Sequence, residues 1–459
     1  MTQPKEPNSA YAAWVALDWA DQKHDWALRA AGATRVEQGE LSNTPEAVEE
    51  WACQLTQRFG ADCRIALAIE QTRGAVVAML SKYAHLVIYP VPPSMLANYR
   101  KSFYPSGAKS DPGDTGLLLE ILEQHRERLR PLEPDTAETR LLQFLGEKRR
   151  DLVQERTRHV QQLQDWLKQV FPQVLFWFDE VSSPLVGDLL LSWPRLEQLQ
   201  KVKPKALREF FREHNCRSAE RIEERIAAIA QAVPATRDEP LLETAEIMIQ
   251  HLVRVLAQLQ KSIGQMDQRL EQVAKAHPDY KIFSSFPGSG KVLTPRLIAA
   301  FGTNRERFQS AFQMQCVSGI APVTQSSGKQ RWVHWRWACP KFLRQTFHEM
   351  ALHSIGFSEW ARAYYDAQRA RGKSHHAAVR ALAYKWIRIL YRCWKDGVAY
   401  DERHYQKALF QRIQGRPMQN RLEDQAAAAA EKFGPTELKI LWNKCAGFSR
   451  AVKISVVSA

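Results

Sequence analysis

The chain has no C-x-x-C pair. Its seven cysteines, Cys53, Cys63, Cys216, Cys316, Cys339, Cys393 and Cys445, are scattered and odd in number. That spacing argues against a zinc site and against a disulfide framework, and for a reducing compartment. No stretch approaches the ~20 apolar residues that span a bilayer, and no basic helix carries the single apolar face that lies on lipid. No membrane partner is expected. The opening MTQPKEPNSAYAAW has no apolar core behind a basic start, which argues against a signal peptide and for the cytosol. A Walker loop is missing too: no glycine stands five residues before Gly290, and Val292 follows Lys291 where Ser or Thr is required.

What is abundant is positive charge. Among 459 residues, 64 Lys and Arg oppose 50 Asp and Glu, a net charge of +14. A surface that basic repels itself unless a polyanion neutralises it, so nucleic acid is the default partner. The length allows about two or three domains with cores of their own.

The first part of the chain alternates strand and helix signals. Trp14–Trp19 reads as a buried strand, and Asp25–Ala30 and Arg35–Leu41 as shorter ones around the turn glycine of RAAGAT. Thr44–Phe59 has a cap at Asn43/Thr44 and helical spacing at Val48, Trp51 and Leu55. Ile65–Ile69 and Leu86–Val91 are further apolar strands, with a helix from Gly74 to Tyr83 between them and Pro92 and Pro93 as the stop. The pattern predicts an α/β domain with a mixed sheet over 11–130.

The middle, 131–279, is charged, glycine-poor and helical. Ile249, Leu252, Leu256, Leu259, Ile263, Met266, Leu270 and Val273 repeat with 3-4 spacing, four heptads that predict a coiled coil. A long helix of an ordinary bundle is the plainer alternative. The first arm, Glu138–Val170, is a poorer heptad, so an intramolecular hairpin and a dimer contact both stay open. A helical insert is expected over Val181–Pro234. From Tyr280 glycine, proline, tryptophan and basic residues rise, with helices at Pro340–Ser354, Ser358–Arg371 and His375–Asp396 marking a mainly α third domain over 280–404. No role is assigned to the tail, 405–459.

Asp18 ends the first apolar strand and Glu70 ends IALAI. Asp111 and Asp114 lie in KSDPGDTGLLLEIL, where Asp111 is placed to cap a helix and Asp114 lies one turn in. Strand ends and a neighbouring helix converge in an α/β sheet, and four acids there repel one another unless cations intervene. Two Mg²⁺ ions about 4 Å apart, with Mn²⁺ as a substitute, would relieve that repulsion and serve phosphodiester chemistry. Each acid alone also reads as ordinary turn or cap chemistry. Asp21, Asp25 and Asp62 are the main decoys.

ALDWADQKHDWAL, then IALAIEQTRG, then AKSDPGDTGLL resembles the DEDD signature of the IS110 type of RuvC-like insertion-sequence transposase. FSSFPGSGKVLTPRLIAAFG and SGIAPVTQSSGKQRWVHWRWACPKFLRQTF are similar to that family's C-terminal transposase domain. The resemblance covers roughly 11–400. It implies an RNase H-like (RuvC-like) nuclease domain with Asp18, Glu70, Asp111 and Asp114 as the metal ligands. Pro112-Gly113 departs from the more basic spacing usual between the last two acids. The resemblance further implies a DNA recombinase guided by a bridge RNA, acting on element ends and target DNA, with a serine of the C-terminal domain as covalent nucleophile. An oligomer of at least two and up to four subunits is expected, with an active site formed in cis or in trans.

On residues alone, Ser326-Ser327-Gly328-Lys329 is turn chemistry. The resemblance falls on the serine before the glycine, making Ser327 the candidate nucleophile and Ser326 the fallback. The hydroxyl needs activation, and Lys329, Arg331 and Arg336 would help hold the phosphate. In Phe286-Pro287-Gly288-Ser289-Gly290-Lys291 the glycines Gly288 and Gly290 would let backbone amides approach a phosphate beside Lys291; a tight interhelical turn is the alternative. Trp332 is a candidate base-stacking contact. Strand alternation instead assigns Trp335 and Trp337 mainly to packing. Arg344, in the family-like stretch LRQTF, is placed to reach a nucleic-acid backbone; a solvated helix arginine is the alternative. His375 and His376 show no ligand spacing. Two rival readings remain: a structure-selective RuvC-like nuclease that cuts without rejoining, and a catalytically inert nucleic-acid-binding protein.

Overall fold

The computed structural model describes residues 11–103, 111–328 and 330–403, apart from the side chains of Asp111 and Pro112. The chain divides into two compact units between Pro134 and Asp135.

The first unit is built on a five-stranded sheet in the order β3-β2-β1-β4-β5. Strands β1 (Ala13–Asp18), β2 (Lys23–Ala30) and β3 (Glu37–Ser42) run antiparallel, while β4 (Ile65–Ile69) and β5 (Leu86–Pro90) run parallel to β1. Every residue of β4 is buried, as its unbroken IALAI composition requires of a central strand covered on both faces. One face carries Val15, Leu17, Leu67 and Ile69 against helices α1 (Pro45–Phe59) and α2 (Ala75–Leu80). Thr44 caps α1 by accepting the Ala47 N–H through its side chain. The other face carries the small residues Ala16, Ala27, Ala66 and Ala68. Small side chains there let α4 (Asp111–His125) lie close, burying Leu117, Leu118, Leu119, Ile121 and Leu122, with Leu96 of α3 (Pro93–Phe103) beside it. An ion pair of 2.7 Å between Arg29 and Glu123 ties α4 to β2. This mixed sheet with helices on both faces is consistent with an RNase H-like domain.

Among the described residues the second unit is helical except for one hairpin. Helices α5 (Ala137–Val170) and α11 (Glu239–Ala276) pack against each other within the chain. Arg149 pairs with Asp267, and Arg156 donates to Gln260 at 3.0 Å. Because the partner numbers fall as the first rises, the two helices run antiparallel. Their apolar stripes serve two separate cores, and this accounts for the long 3-4 repeat. Leu163, Leu167, Ile249, Leu252 and Leu256 pack with the insert, α6 (Gln173–Trp177), α7 (Pro184–Ser192), α8 (Leu196–Gln200), α9 (Pro204–Glu213) and α10 (Ala219–Gln231). Leu142, Leu270, Val273 and Ala274 instead join the core of the segment that follows.

That segment comprises α12 (Tyr280–Ser284), α13 (Gly290–Phe301), α14 (Ala311–Val317), strands β6 (Val323–Ser327) and β7 (Gln330–His334), and helices α15 (Lys341–Phe357), α16 (Glu359–Ala370) and α17 (His375–Asp396). Trp386 and Trp394 are fully buried at its centre. Their indole N–H groups donate to Ser354 Oγ and the Gly302 carbonyl, as buried tryptophans require. None of the described helices is long and apolar enough to cross a membrane. The described cysteines are all free.

His277 joins α11 to α5. Its Nδ1 accepts the Asp279 N–H at 3.1 Å, so Nε2 carries the proton and donates to Thr139 Oγ1 at 3.0 Å. Burial holds its pKa below the ordinary histidine value, against the upward pull of Asp279, Asp135 and Glu138. Protonation therefore favours the unfolded chain: the stabilisation is present above a pH of about 6.5 and is lost as pH falls through the lower folded value. The urea midpoint of the second unit is expected to be lower at pH 5 than at pH 7.5, with a smaller drop in His277→Gln. Equal drops in the two proteins would show that His277 does not carry the effect.

Candidate active site and nucleic-acid interface

The parallel register of β1 and β4 pairs Leu17 with Ile69. The next residues along are Asp18 and Glu70, so two carboxylates leave the carboxyl ends of adjacent strands side by side. Asp18, within β1, falls on the face of Trp14 and Ala16 that α4 covers, and Glu70 is the first residue after β4. Both acids are half-buried. The loops behind them are joined as well, because the Gln71 amide, turned to accept, receives the Trp19 indole N–H. Glu70, Gln71 and Thr72 line an open depression with Val91, Pro92 and Pro93 after β5.

The β1–β2 turn that follows Asp18 is braced from inside. His24 is fully buried, and its Nδ1 accepts the Ala20 N–H at 3.1 Å. Burial lowers its pKa, which keeps the ring neutral and able to accept.

Asp114 lies in the first turn of α4 and is 4% exposed. Arg100 of α3 holds it by Nε at 2.9 Å and Nη2 at 2.5 Å. Its charge is thus neutralised by a guanidinium. Asp111 begins α4, but its side chain lies outside the described residues. Among the described residues no three His, Cys, Asp or Glu side chains converge closely enough to hold a metal ion. Hard carboxylate donors are the chemistry magnesium prefers, and Asp18 and Glu70 supply two of them. Both Arg100 contacts fall on Asp114 Oδ1.

Of the decoy acids, Asp25 stands directly opposite Asp18 in the β1–β2 register. Directly paired residues share a face of the sheet, so Asp25 lies on the same side as Asp18. The sequence concealed this because cross-strand pairing depends on where the hairpin turns.

Ser327 ends β6 and pairs with Gln330; Ser326 pairs with Arg331. The two serines point to opposite faces of the ribbon. Ser327 shares its face with Gln325 and Trp332, and Ser326 shares its face with Arg331 and Thr324. Both serines are exposed, as are Arg331 and Trp332. Gly328, with φ of +55°, turns the chain. Lys329 lies outside the described residues. An exposed two-stranded ribbon has marginal stability of its own, so this one is suited to being held by a ligand.

The expectation that Trp335 and Trp337 pack inside is not met. The strand ends at His334, so alternation no longer applies, and these rings are 41% and 76% exposed. They stack on each other with centroids 5.9 Å apart. Arg336 instead points inward, reaching the Ala321 carbonyl at 3.4 Å and Cys316 Sγ at 3.7 Å. It braces the ribbon's base. Arg344 is half-buried on α15.

Ser289 caps α13, and Gly288 precedes it with φ of +76°. A Cβ at Gly288 would stand 3.0 Å from His353 Cβ and 3.1 Å from its backbone carbon. Gly288 is therefore required by the approach of α15. Gly290 also has positive φ, +51°, but its surroundings are open, and Lys291 pairs with Glu271 at 3.2 Å. Gly288→Ala is expected to cost roughly 2 kcal/mol or more of stability and Gly290→Ala about half that, read from urea midpoints. Equal costs would mean that His353 yields and only the backbone angle matters.

Residues 15–172 match a DEDD family of the IS110 type described as Transposase, and residues 280–366 match the Transposase IS116/IS110/IS902 family. The chain is 27% identical over 395 residues to the mini-circle IS117 protein of Streptomyces coelicolor, covering 84% of this chain and 94% of that one. It is 25% identical over 399 residues to the 42 kDa protein of insertion element IS900 from Mycobacterium paratuberculosis, covering 85% and 98%. It is 28% identical over 311 residues to the 43.6 kDa protein of insertion element IS110 from Streptomyces coelicolor, covering 65% and 74%. The matched segments include the first unit's carboxylates and the β6–β7 ribbon.

Proposed function

Given that the chain belongs to the IS110-type insertion-sequence transposases, we propose that it cuts and rejoins DNA strands by a metal-dependent carboxylate site and a serine nucleophile, directed by a guide RNA. The observation that carries the metal site is the pairing of Leu17 with Ile69, which sets Asp18 and Glu70 at neighbouring strand ends. Neighbouring hard carboxylate donors are what a divalent cation such as magnesium takes. Asp18 and Glu70 would hold it, with Asp114, whose Oδ1 is held by Arg100, and Asp111 as the further ligands. Bound there, magnesium supplies Lewis-acid polarisation of the phosphodiester and a water or hydroxyl of lowered pKa.

Ser327 Oγ would form a bond to phosphorus as the P–O bond to the leaving sugar oxygen breaks, its proton passing to a base. Exposure on the ribbon supports this role, because a nucleophile for a large substrate must be reachable. In this reading 11–130 is the nuclease domain, 131–279 the connector and 280–404 the transposase domain. The protein would act as a dimer or tetramer, since joining two DNA sites needs several strand breaks.

The test is to incubate the full chain and Mg²⁺ with element-end DNA, target DNA and the adjacent non-coding transcript. Joined DNA that requires the transcript supports the whole reading. Joined DNA without the transcript removes the guide RNA and leaves the recombinase. Cleavage without joining favours a structure-selective nuclease, and tight binding without chemistry favours an inert binder.

A further inference from the structure

Beside the exposed Trp335 ring, arginines and histidines gather between α15 and α17, and burial holds the His348 pKa below the ordinary histidine value. Arg344 and His348 stand one turn apart on α15, and His376 and Arg380 one turn apart on α17. The His348 and His376 rings are 5.6 Å apart, and His375 lies 5.1 Å from His376. The Arg380 guanidinium lies against the Trp335 ring. Arg344 Nη1 and Arg380 Nε are shielded from solvent without a hydrogen-bond partner among the described residues. Glu349, the carboxylate that acts on this cluster, is already engaged by Arg296 and by Arg150 at 2.6 Å. Burial, with Arg344 adding to it, pushes the Arg380 pKa down to about 10.

A shielded guanidinium with unused donors is costly, and like charges beside it add to the cost. A fold tolerates such a group when a ligand uses it. Two guanidinium forks and adjacent imidazoles match the several acceptor oxygens of a phosphate. The stacked Trp335 and Trp337 offer base-sized planes next to it.

We propose that Arg344, Arg380, His348 and His376 form a seat for a backbone phosphate of the DNA strand that the β6–β7 ribbon engages. Trp335 covers the seat, and Trp337, stacked on it and more exposed, offers its outer face to an adjoining base. The seat holds the strand by its backbone and reads no sequence. It deepens the DNA-handling reading above and rests on it, but it concerns binding, so it can be tested without strand chemistry.

The experiment measures binding of the full chain to a labelled single-stranded DNA by fluorescence anisotropy in EDTA, across a salt series. Arg344→Gln/Arg380→Gln is compared with wild type and with Arg362→Gln, an exposed arginine on α16. The double variant is expected to bind about tenfold or more weaker, with a salt slope shallower by roughly one to two. Arg362→Gln is expected to lose less than about threefold. Inorganic phosphate should raise the melting temperature of wild type but not that of the double variant.

Should the double variant fail to fold, Arg344→Lys and Arg380→Lys keep the charge and lose the fork; each is expected to weaken binding severalfold. Affinity and slope equal to those of Arg362→Gln, or lysine variants equal to wild type, would overturn the seat. So would a loss seen with RNA of the same sequence while DNA binding is unchanged. Strand joining that fails while this binding pattern holds would overturn the proposed chemistry and leave the seat standing.

Discussion

Asp18→Asn is expected to reduce Mg²⁺-dependent strand cleavage by roughly a thousandfold or more, while DNA binding and the melting temperature stay close to wild type. Asparagine keeps the size of the side chain and its capacity to hydrogen-bond, so the end of β1 is not disturbed. What it loses is the charge next to Glu70. Removing one of the carboxylates lowers the fixed negative charge at the strand ends, and cation affinity falls with it. The informative comparison is Asp25→Asn. Asp25 is directly across from Asp18, on the same face, and is absent from the ligand set that the family resemblance implies. Cleavage by Asp25→Asn is expected to fall less than about tenfold. Equal losses from both variants would mean that β2 contributes a ligand and that the four-acid assignment is wrong. Titrating Mn²⁺ by calorimetry gives a readout separate from cleavage: wild type should bind and Asp18→Asn should bind far more weakly.

Ser327→Ala is expected to abolish protein-linked DNA strands and to reduce joined product by roughly a thousandfold. Ser326→Ala should leave both within about threefold. The contrast is sharp because the β6–β7 register turns these neighbours to opposite faces, so one ligand cannot reach both hydroxyls equally. Neither change should alter stability by more than about 0.5 kcal/mol, since both positions are exposed and outside any core. Denaturing gels of reactions with labelled DNA measure the adduct directly. Adduct from Ser327→Ala but not from Ser326→Ala would move the nucleophile by one residue. Cleavage that survives Ser327→Ala with no adduct from wild type would demote the serine to a turn residue and favour a metal nuclease.

The Arg100–Asp114 pair bears on the first of these results. Breaking a buried pair leaves an uncompensated charge and costs several kcal/mol, so Arg100 cannot simply leave Asp114 in the absence of another cation. A divalent ion arriving at Asp18 and Glu70 would provide one. The structure thus holds Asp114 in a form that is stable without metal.

Much of the N-terminal sheet was legible in the sequence because its strands differ in burial. IALAI is apolar at every position, as a central parallel strand must be, and its ends agree with the structure to the residue. The helix expected over His375–Asp396 also has those bounds in the structure, where Ser374 caps it by accepting the Ala377 N–H. The local pattern also placed Asp18 and Glu70 at strand ends. It could not say that those ends are neighbours, since strand order and register are set by which faces bury together.

The 3-4 repeat of α11 illustrates the same limit. A stripe of Ile249, Leu252, Leu256 and Leu270 requires an apolar partner but does not name one. In the structure the stripe is divided between the insert and the last helices, with α5 alongside. Alternation misled at Trp335 and Trp337 because it presumes that the strand continues, and β7 stops at His334 with no sheet beyond it to pack against. The sequence by itself determined the kinds of element, the positive charge and the residues able to do chemistry, all of which follow from local propensity and composition. Only the tertiary structure decided that Asp114 is held by Arg100, that Asp25 faces Asp18, and that unpaired arginines lie under Trp335. Each of these is a contact between residues on different elements, and burial of apolar faces, which is non-directional, leaves such pairings open until the whole chain has packed.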